Sequence, residues 1–335
     1  MVFPTKILVT GAAGFLGGRL VKHLIQVFPQ ASIIGTSRKS DRKAEFEILG
    51  IQFIAGDLSD KEFCQNITQQ TDLIIHCAAL SSPWGALQEF ENANIVSTQN
   101  LLEASIDNKV KRFIFISTPS IYFEYKDRFN VKESDPLPRH MVNHYAATKL
   151  EAEKIVLAAN GNKIETLALR PRAIIGAEDT VIFPRLIKAY KEGKLKIIGT
   201  GKNIADLTCV RNVIEAVLCS IRAGDQALGQ AYNITNGDPV LLWEKINLLL
   251  QVLQLAPLKK KIPAALVMTV ATLMEWKAKL FHPDKEPTLT RYGIGVLAYS
   301  LTMDISKANA QLGYHPVQTT EEGLEEFIAW YQTSN

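Results

Sequence analysis

Cysteine is scarce in this chain: four in 335 residues, at positions 64, 77, 209 and 219. None makes a C-x-x-C pair and no histidine lies at metal-ligand spacing from one, which leaves out a zinc module or a dithiol redox centre. Small core thiols in a reducing compartment are expected instead of a disulfide framework. Charge of one sign is equally sparse. Lys and Arg total 37 against 34 Asp and Glu, and the longest like-charged run is the three lysines 259–261. A nucleic-acid surface is therefore not expected. No apolar run reaches the ~18 residues needed to span a bilayer. The nearest, Ile262 to Met274, is interrupted by threonines. The opening MVFPTKILVTG has no basic region or cleavage site of a signal peptide. Repeats and low-complexity segments are absent from the sequence.

What is present describes a globular protein of one large or two ordinary domains, 47% apolar and 21% charged. Short apolar runs read as strands at 6–10, 32–36, 51–55, 72–77, 113–117 and 164–169, with helical stretches such as 93–107 and 144–159 between them. Strands this apolar, alternating with helices, predict a parallel sheet covered on both faces, an α/β doubly wound (Rossmann) fold. After Arg170-Pro171 the alternation loosens. Helices at 181–192, 240–255 and 262–281 predict a smaller, mostly helical C-terminal substrate domain, 172–335, beside a dinucleotide domain, 1–171. Segments near 205–235 look like a helix and strand returning to the main sheet. In the tail, Thr319-Thr320-Glu321-Glu322 is a helix-start signal.

The first strand runs into TGAAGFLG, with glycines at 11, 14 and 17. Gly11 permits a tight turn, Gly14 lets a pyrophosphate approach the backbone, and Gly17 lets helix pack on strand. The end of the second strand reads Thr36-Ser37-Arg38-Lys39, with no acid before Asp41. A carboxylate there would bind the ribose 2′-hydroxyl of NAD, whereas Ser37 and Arg38 suit a 2′-phosphate, so NADP(H) is favoured over NAD(H). Asp57-Leu58 is placed to flank the adenine, and Ala78-Ala79-Leu80 to face the middle of the cofactor.

Tyr145 and Lys149, in YAATK, stand about one helical turn apart on one face. A phenol ordinarily titrates near ~10, and a nearby ammonium with an oxidised nicotinamide would favour the phenolate. Together with the glycine turn, GDLSD, NIVSTQNLLEAS, FIFISTPSIY, LRPRAIIG and IADLTCVRNVIEAV, the chain resembles the extended short-chain dehydrogenase/reductases, and within them the 3β-hydroxysteroid dehydrogenase-like group. The tail EPTLTRYGIGVLAYSLTMDISKANAQLGY is similar to bacterial reductases of 2-alkyl-3-oxoalkanoates. The resemblance implies Tyr145 as general acid/base, Lys149 as its partner on the nicotinamide ribose, and Thr118 as the hydroxyl holding the substrate oxygen, with Ser117 serving cofactor or loop. It implies cofactor contacts at Gly11, Ala13, Gly14, Phe15, Leu16, Gly17, Ser37, Arg38, Asp57, Leu58, Ala78, Ala79, Ser117, Tyr145, Lys149 and Pro171. Asn94 looks like the family's structural asparagine near the site.

Several reactions are disfavoured. Related sugar-nucleotide dehydratases carry an Asp-Glu pair after the catalytic Thr, where this chain has Pro119-Ser120. Related epimerases hold the diphosphate with an Asn where this chain has Ala173. No metal site or further nucleophile constellation accompanies the motifs. Oxidation or reduction of an alcohol or ketone remains, and the resemblance implies interconversion of a 3-oxo and a 3-hydroxy group on a hydrophobic substrate. An NAD-dependent sugar-nucleotide epimerase and a cofactor-binding regulator without chemistry are the alternatives. Were the substrate a β-keto acid, Arg172, Arg185, Arg211 or Arg291 could meet its carboxylate. Trp84 could shape the pocket. A homodimer through 93–107 and 144–159 is implied by the family. A cytoplasmic location is expected, with the stretch 262–281 read as a helix buried in the substrate domain. A membrane-surface anchor or the wall of an apolar tunnel is the other reading of it.

Overall fold

A computed structural model describes residues 4–334. Seven strands form one sheet: β1 Lys6–Thr10, β2 Ser32–Ser37, β3 Gln52–Ala55, β4 Leu73–His76, β5 Arg112–Ile116, β6 Glu165–Pro171 and β7 Ala231–Ile234. The spatial order is β7-β6-β5-β4-β1-β2-β3 and every neighbouring pair is parallel. Strand order reverses between β1 and β4. In such sheets the crevice beyond the strands' carboxyl ends at that point is where ligands bind.

Helices α1 Phe15–Val27, α2 Ser97–Asp107, α3 His144–Ala158, α4 Phe183–Lys191, α5 Val210–Arg222, α6 Leu242–Val252, α7 Ala264–Phe281, α8 Arg291–Ala298 and α9 Thr320–Ser334 complete the main framework. The alternation of side chains along β1 assigns the two faces. Ile7 and Val9 pack in one core with Leu20 and Val21 of α1 and Val213 and Val217 of α5. Leu8 packs in the opposite core with Leu101 of α2 and Ala152 and Val156 of α3. Burial on both faces is why these strands read as unbroken apolar runs. The expected doubly wound sheet and helical C-terminal part are both present.

A further core joins Phe183, Ile187, Trp243, Ile246, Leu249 and Phe327, from α4, α6 and α9. Beside it lies a small four-stranded sheet of Val240–Leu241, Ile204–Ala205, Leu301–Met303 and Arg128–Val131, in that order. The α9 start signal is realised as a capping box: Thr319 N donates to Glu322 Oε2 at 2.7 Å and Glu322 N to Thr319 Oγ1 at 3.3 Å.

Two expectations need correction. The stretch 93–107 is not one regular helix, because Glu91–Val96 forms wider π-helical turns before α2. The extra residue per turn brings Asn94 inward, to 1% exposure. Nor is the helix in 262–281 buried. In α7 only Ala271 and Ala278 are fully covered, whereas Leu266, Leu273, Trp276, Leu280 and Phe281 are 57–66% exposed. The helix is apolar on both sides, so its periodicity could not say which side meets the core. Among the described residues, no helix is long and apolar enough to cross a membrane.

Candidate active site

The turn after β1 has the close approaches that its glycines permit. Gly11 has φ +68°, and a Cβ there would lie 2.8 Å from the Ala78 backbone nitrogen, so the turn rests against the chain leaving β4. A Cβ at Gly17 would lie 2.3 Å from the Gly11 carbonyl oxygen, the mark of helix packed directly on turn. At Gly14, by contrast, an added Cβ meets only the Gly11 oxygen, at 3.2 Å, and no side chain. Helix α1 then begins without a capping side chain and without an acid in its first turn. Uncapped N–H groups at a bare backbone face suit a pyrophosphate. Ala13, Phe15 and Leu16 complete the same turn and the first residues of α1.

At the end of β2, Arg38 is exposed and, among the described residues, forms no ion pair or side-chain hydrogen bond, while Ser37 Oγ donates to the Lys39 carbonyl at 2.9 Å. The neighbouring Arg42 is already engaged by Glu45 and Glu178. Past β3, Asp57 is exposed and accepts from Ser59 N at 2.9 Å, and Leu58 is buried beneath it. Ala78 and Ala79 follow β4 at the switch point. These features fit a dinucleotide lying across the carboxyl edge.

The chemical groups converge one strand further on. Thr118 is extended (φ −152°) and caps the short 3₁₀ turn Pro119–Tyr122. Its hydroxyl accepts from Ser120 N at 3.2 Å and donates to Ser120 Oγ at 3.1 Å. Ser120 Oγ in turn lies 2.7 Å from the hydroxyl of Tyr292, at the start of α8. Tyr145, on the first turn of α3, has the hydroxyls of Thr118 and Ser81 for neighbours, and both favour its ionised form. A chain of hydroxyls thus runs from Thr118 through Ser120 to Tyr292, with the Tyr145 phenol next to its first member. Asn143 starts α3 by accepting from Ala146 N at 2.8 Å, which fixes the helix end that carries Tyr145.

Lys149 is 2% exposed and donates from Nζ to the Ile116 carbonyl at 2.7 Å, with the Phe115 ring centroid 3.9 Å away. Burial lowers its pKa to about 7, against the opposing pull of Cys77 and Glu153. Burial also pushes the Tyr145 phenol up, opposed by the hydroxyls of Thr118 and Ser81. The expected lowering by Lys149 is not what sets the phenol in the protein alone. Desolvation outweighs the other influences, and the ammonium is turned to a carbonyl and a ring. A phenol kept protonated is a proton donor, the state that reduction of a ketone requires. Ser117 Oγ is buried without a partner, and its backbone N donates to Leu169 O at 2.7 Å.

Behind these groups, Asn94 holds two elements together. Its Oδ1 accepts from Leu80 N at 2.7 Å and its Nδ2 donates to Thr148 Oγ1 at 3.0 Å, so the loop after β4 and the helix of Tyr145 are fixed to each other. His76, fully buried, lies between Thr10 Oγ1 (2.7 Å) and Thr98 Oγ1 (2.9 Å). Trp84 Nε1 donates to the Pro283 carbonyl at 2.8 Å, just beyond α7. Pro171 ends β6. Ser81, Tyr292 and His76 were not singled out in the sequence. Ser81 has only its place after Ala78-Ala79-Leu80 to mark it, and Tyr292 comes from more than a hundred residues away through α8.

The chain matches the model of the 3-beta hydroxysteroid dehydrogenase/isomerase family over residues 8–263. A 3beta-hydroxysteroid-dehydrogenase/decarboxylase (isoform 1) of Arabidopsis thaliana is 35% identical, covering 96% of this chain and 78% of its own. A 2-alkyl-3-oxoalkanoate reductase of Shewanella oneidensis is 31% identical over 96% of this chain and 85% of its own. Among solved structures, a UDP-glucuronic acid 4-epimerase of Bacillus cereus in complex with NAD superposes with a TM-score of 0.77 at 25% identity, covering 98% of this chain and 99% of that one.

Proposed function

The chain belongs to the 3-beta hydroxysteroid dehydrogenase/isomerase family and is an NAD(P)-dependent oxidoreductase of the short-chain dehydrogenase/reductase type; from that premise we propose that it interconverts a 3-oxo and a 3-hydroxy group on a hydrophobic substrate, a long-chain 2-alkyl-3-oxoalkanoate or a sterol-like compound, with NADP(H). The observation that carries this reading is the placing of the Tyr145 phenol next to the hydroxyl chain Thr118–Ser120–Tyr292, with Lys149 fixed at the end of β5. Gly11 to Gly17, Asp57-Leu58, Ala78-Ala79, Ser117 and Pro171 would hold the dinucleotide, and Arg38 with Ser37 its 2′-phosphate. When bound, the nicotinamide supplies or takes the hydride at C4. Tyr145 gives its proton to the developing alkoxide, and Thr118 holds that oxygen by a hydrogen bond. Lys149, already desolvated, lies where it can bond the nicotinamide ribose. In the reverse direction the same phenol acts as base, helped by the positive charge of the oxidised cofactor.

The residues 172–335 serve as the substrate part in this reading, and the molecule acts as a homodimer. The apolar outer face of α7, preceded by Lys259, Lys260 and Lys261, supports contact with a membrane surface. A sugar-nucleotide epimerase is less well supported. Ala173 stands after β6 where related epimerases hold the diphosphate with an Asn, so that position offers no amide to a nucleotide sugar. The test is NADPH oxidation, followed by absorbance, with a 2-alkyl-3-oxoalkanoate, a 3-oxosteroid and a UDP-sugar offered separately. Turnover of either ketone, with NADPH preferred over NADH, is expected. Conversion of the UDP-sugar alone, with tightly held NAD, would replace this reading by the epimerase.

A further inference from the structure

Four arginines could meet a carboxylate from the substrate, and three of them have acidic partners. Arg185 pairs with Glu286 at 3.8 Å, Arg211 with Glu326 at 3.4 Å and Arg291 with Glu275 at 3.3 Å. Arg172 has none. It is 5% exposed, its Nε is buried without a partner, and its side chain makes no hydrogen bond or ion pair among the described residues. Its backbone is fixed instead: N donates to Ile234 O at 3.2 Å and its carbonyl accepts from Thr208 Oγ1. A buried guanidinium left unpaired is costly, and such a group is retained where something else meets it.

Its place tells what that something is. Ile116 of β5 pairs with Leu169 of β6, and Ser117 N bonds the Leu169 carbonyl. Thr118 and Arg172 therefore leave adjacent strands at the same carboxyl edge of the sheet. The hydroxyl of Tyr292 bonds Ser120, the partner of Thr118, at this same edge. Asp206 is the acid whose charge acts on Arg172, and the two are not in ion-pair contact. Asp206 Oδ2 accepts from Met303 N at 2.7 Å, and its Oδ1 is buried without a partner. In a 3-oxo acid the carboxyl carbon is two bonds from the carbonyl carbon. A carbonyl at Tyr145 and Thr118 therefore has its carboxylate within one residue's reach of that oxygen, on the scale that separates adjacent strand ends.

We propose that Arg172 forms a subsite for the carboxylate of the substrate, so that the chain acts on 3-oxo or 3-hydroxy carboxylic acids in preference to neutral ketones or alcohols. The proposal rests on the oxidoreductase reading above and narrows its substrate class. A site with a buried group waiting for a particular partner discriminates strongly against an analogue lacking that partner.

The test uses the whole protein with NADP⁺ or NAD⁺ and two stable alcohols, a 2-alkyl-3-hydroxyalkanoate and its methyl ester, with a 3-hydroxysteroid as a third substrate. The wild type should prefer acid over ester by at least roughly tenfold in kcat/KM. Arg172→Met should lower kcat/KM for the acid by roughly 10–100-fold and leave the ester within about threefold, while Arg172→Lys keeps part of the preference. Equal losses on acid and ester in a variant that still binds NADPH would make Arg172 merely structural, and a wild type indifferent to esterification would overturn the subsite even if Arg172→Met fails to fold. In both cases the oxidoreductase reading stands. If the wild type oxidises none of the three, that reading falls and the subsite falls with it.

Discussion

Tyr145 carries the clearest expectation for a single side chain. Replacing it with Phe removes the proton donor and leaves the ring, so turnover should fall by roughly 10²–10⁴-fold while NADPH affinity stays close to wild type. Steady-state rates and fluorescence titration of NADPH read the two separately, and substantial residual turnover would remove the assignment. His76 makes a different, thermodynamic prediction. Burial first, and Lys149 second, lower its pKa from 6.5 to about 3, so it is neutral in the fold. Below pH 6.5 the unfolded chain takes up a proton that the folded one refuses. Its contribution is therefore intact above 6.5 and is lost as pH falls toward 3, at up to ~1.4 kcal/mol per pH unit. Urea unfolding of wild type and His76→Gln at pH 7 and pH 5 should show a steeper loss in the wild type. Tyr145, Lys149 and Thr118 were legible because their spacing and place in a motif can be read along the chain. Tyr292 and Ser81 were not, because nothing local distinguishes a tyrosine that a distant helix delivers, or an exposed loop serine, from an ordinary one.

Among the elements, the six long strands up to β6 could be read because each is a continuous apolar run ending at a glycine, an alanine pair, a serine or a proline. Two-residue strands such as Ile204–Ala205 carry no periodicity and appear only through their partners. The π-helical turns around Asn94 escape for a related reason, since one inserted residue leaves composition unchanged and shifts every later side chain. Helix α1 and its turn act as one piece. Gly17→Ala would set a Cβ 2.3 Å from a backbone oxygen, forcing the helix to shift. The expected cost is about 1–3 kcal/mol of stability, together with weaker NADPH binding; thermal unfolding and a binding titration check both. At the end of β2, Arg38→Glu should raise KM for NADPH by roughly 10–100-fold and change KM for NADH little. Equal effects on the two would mean that Arg38 does not contact the 2′-phosphate.

On the scale of the whole molecule, the sheet's carboxyl edge leads to Thr118 and Ser120, and α8, packed against α7, brings Tyr292 to them. Glu275 of α7 accepts from the backbone N of Arg291 at 2.6 Å, next to Tyr292. The outward face of α7 should bind vesicles. Sedimentation with anionic vesicles should bring down more protein than with neutral ones, and Leu273→Glu with Trp276→Glu should abolish the difference without altering turnover of a soluble substrate. A protein that stays in the supernatant throughout would leave α7 without this role. The hydrogen bond from Trp84 to Pro283 has a kinetic consequence. It ties the loop after β4 to the chain just beyond α7. An enzyme lying on lipid in this way would meet a greasy ketone by lateral diffusion in two dimensions. Its velocity would then follow the mole fraction of ketone in the bilayer, and adding inert lipid at constant total ketone would slow it by surface dilution.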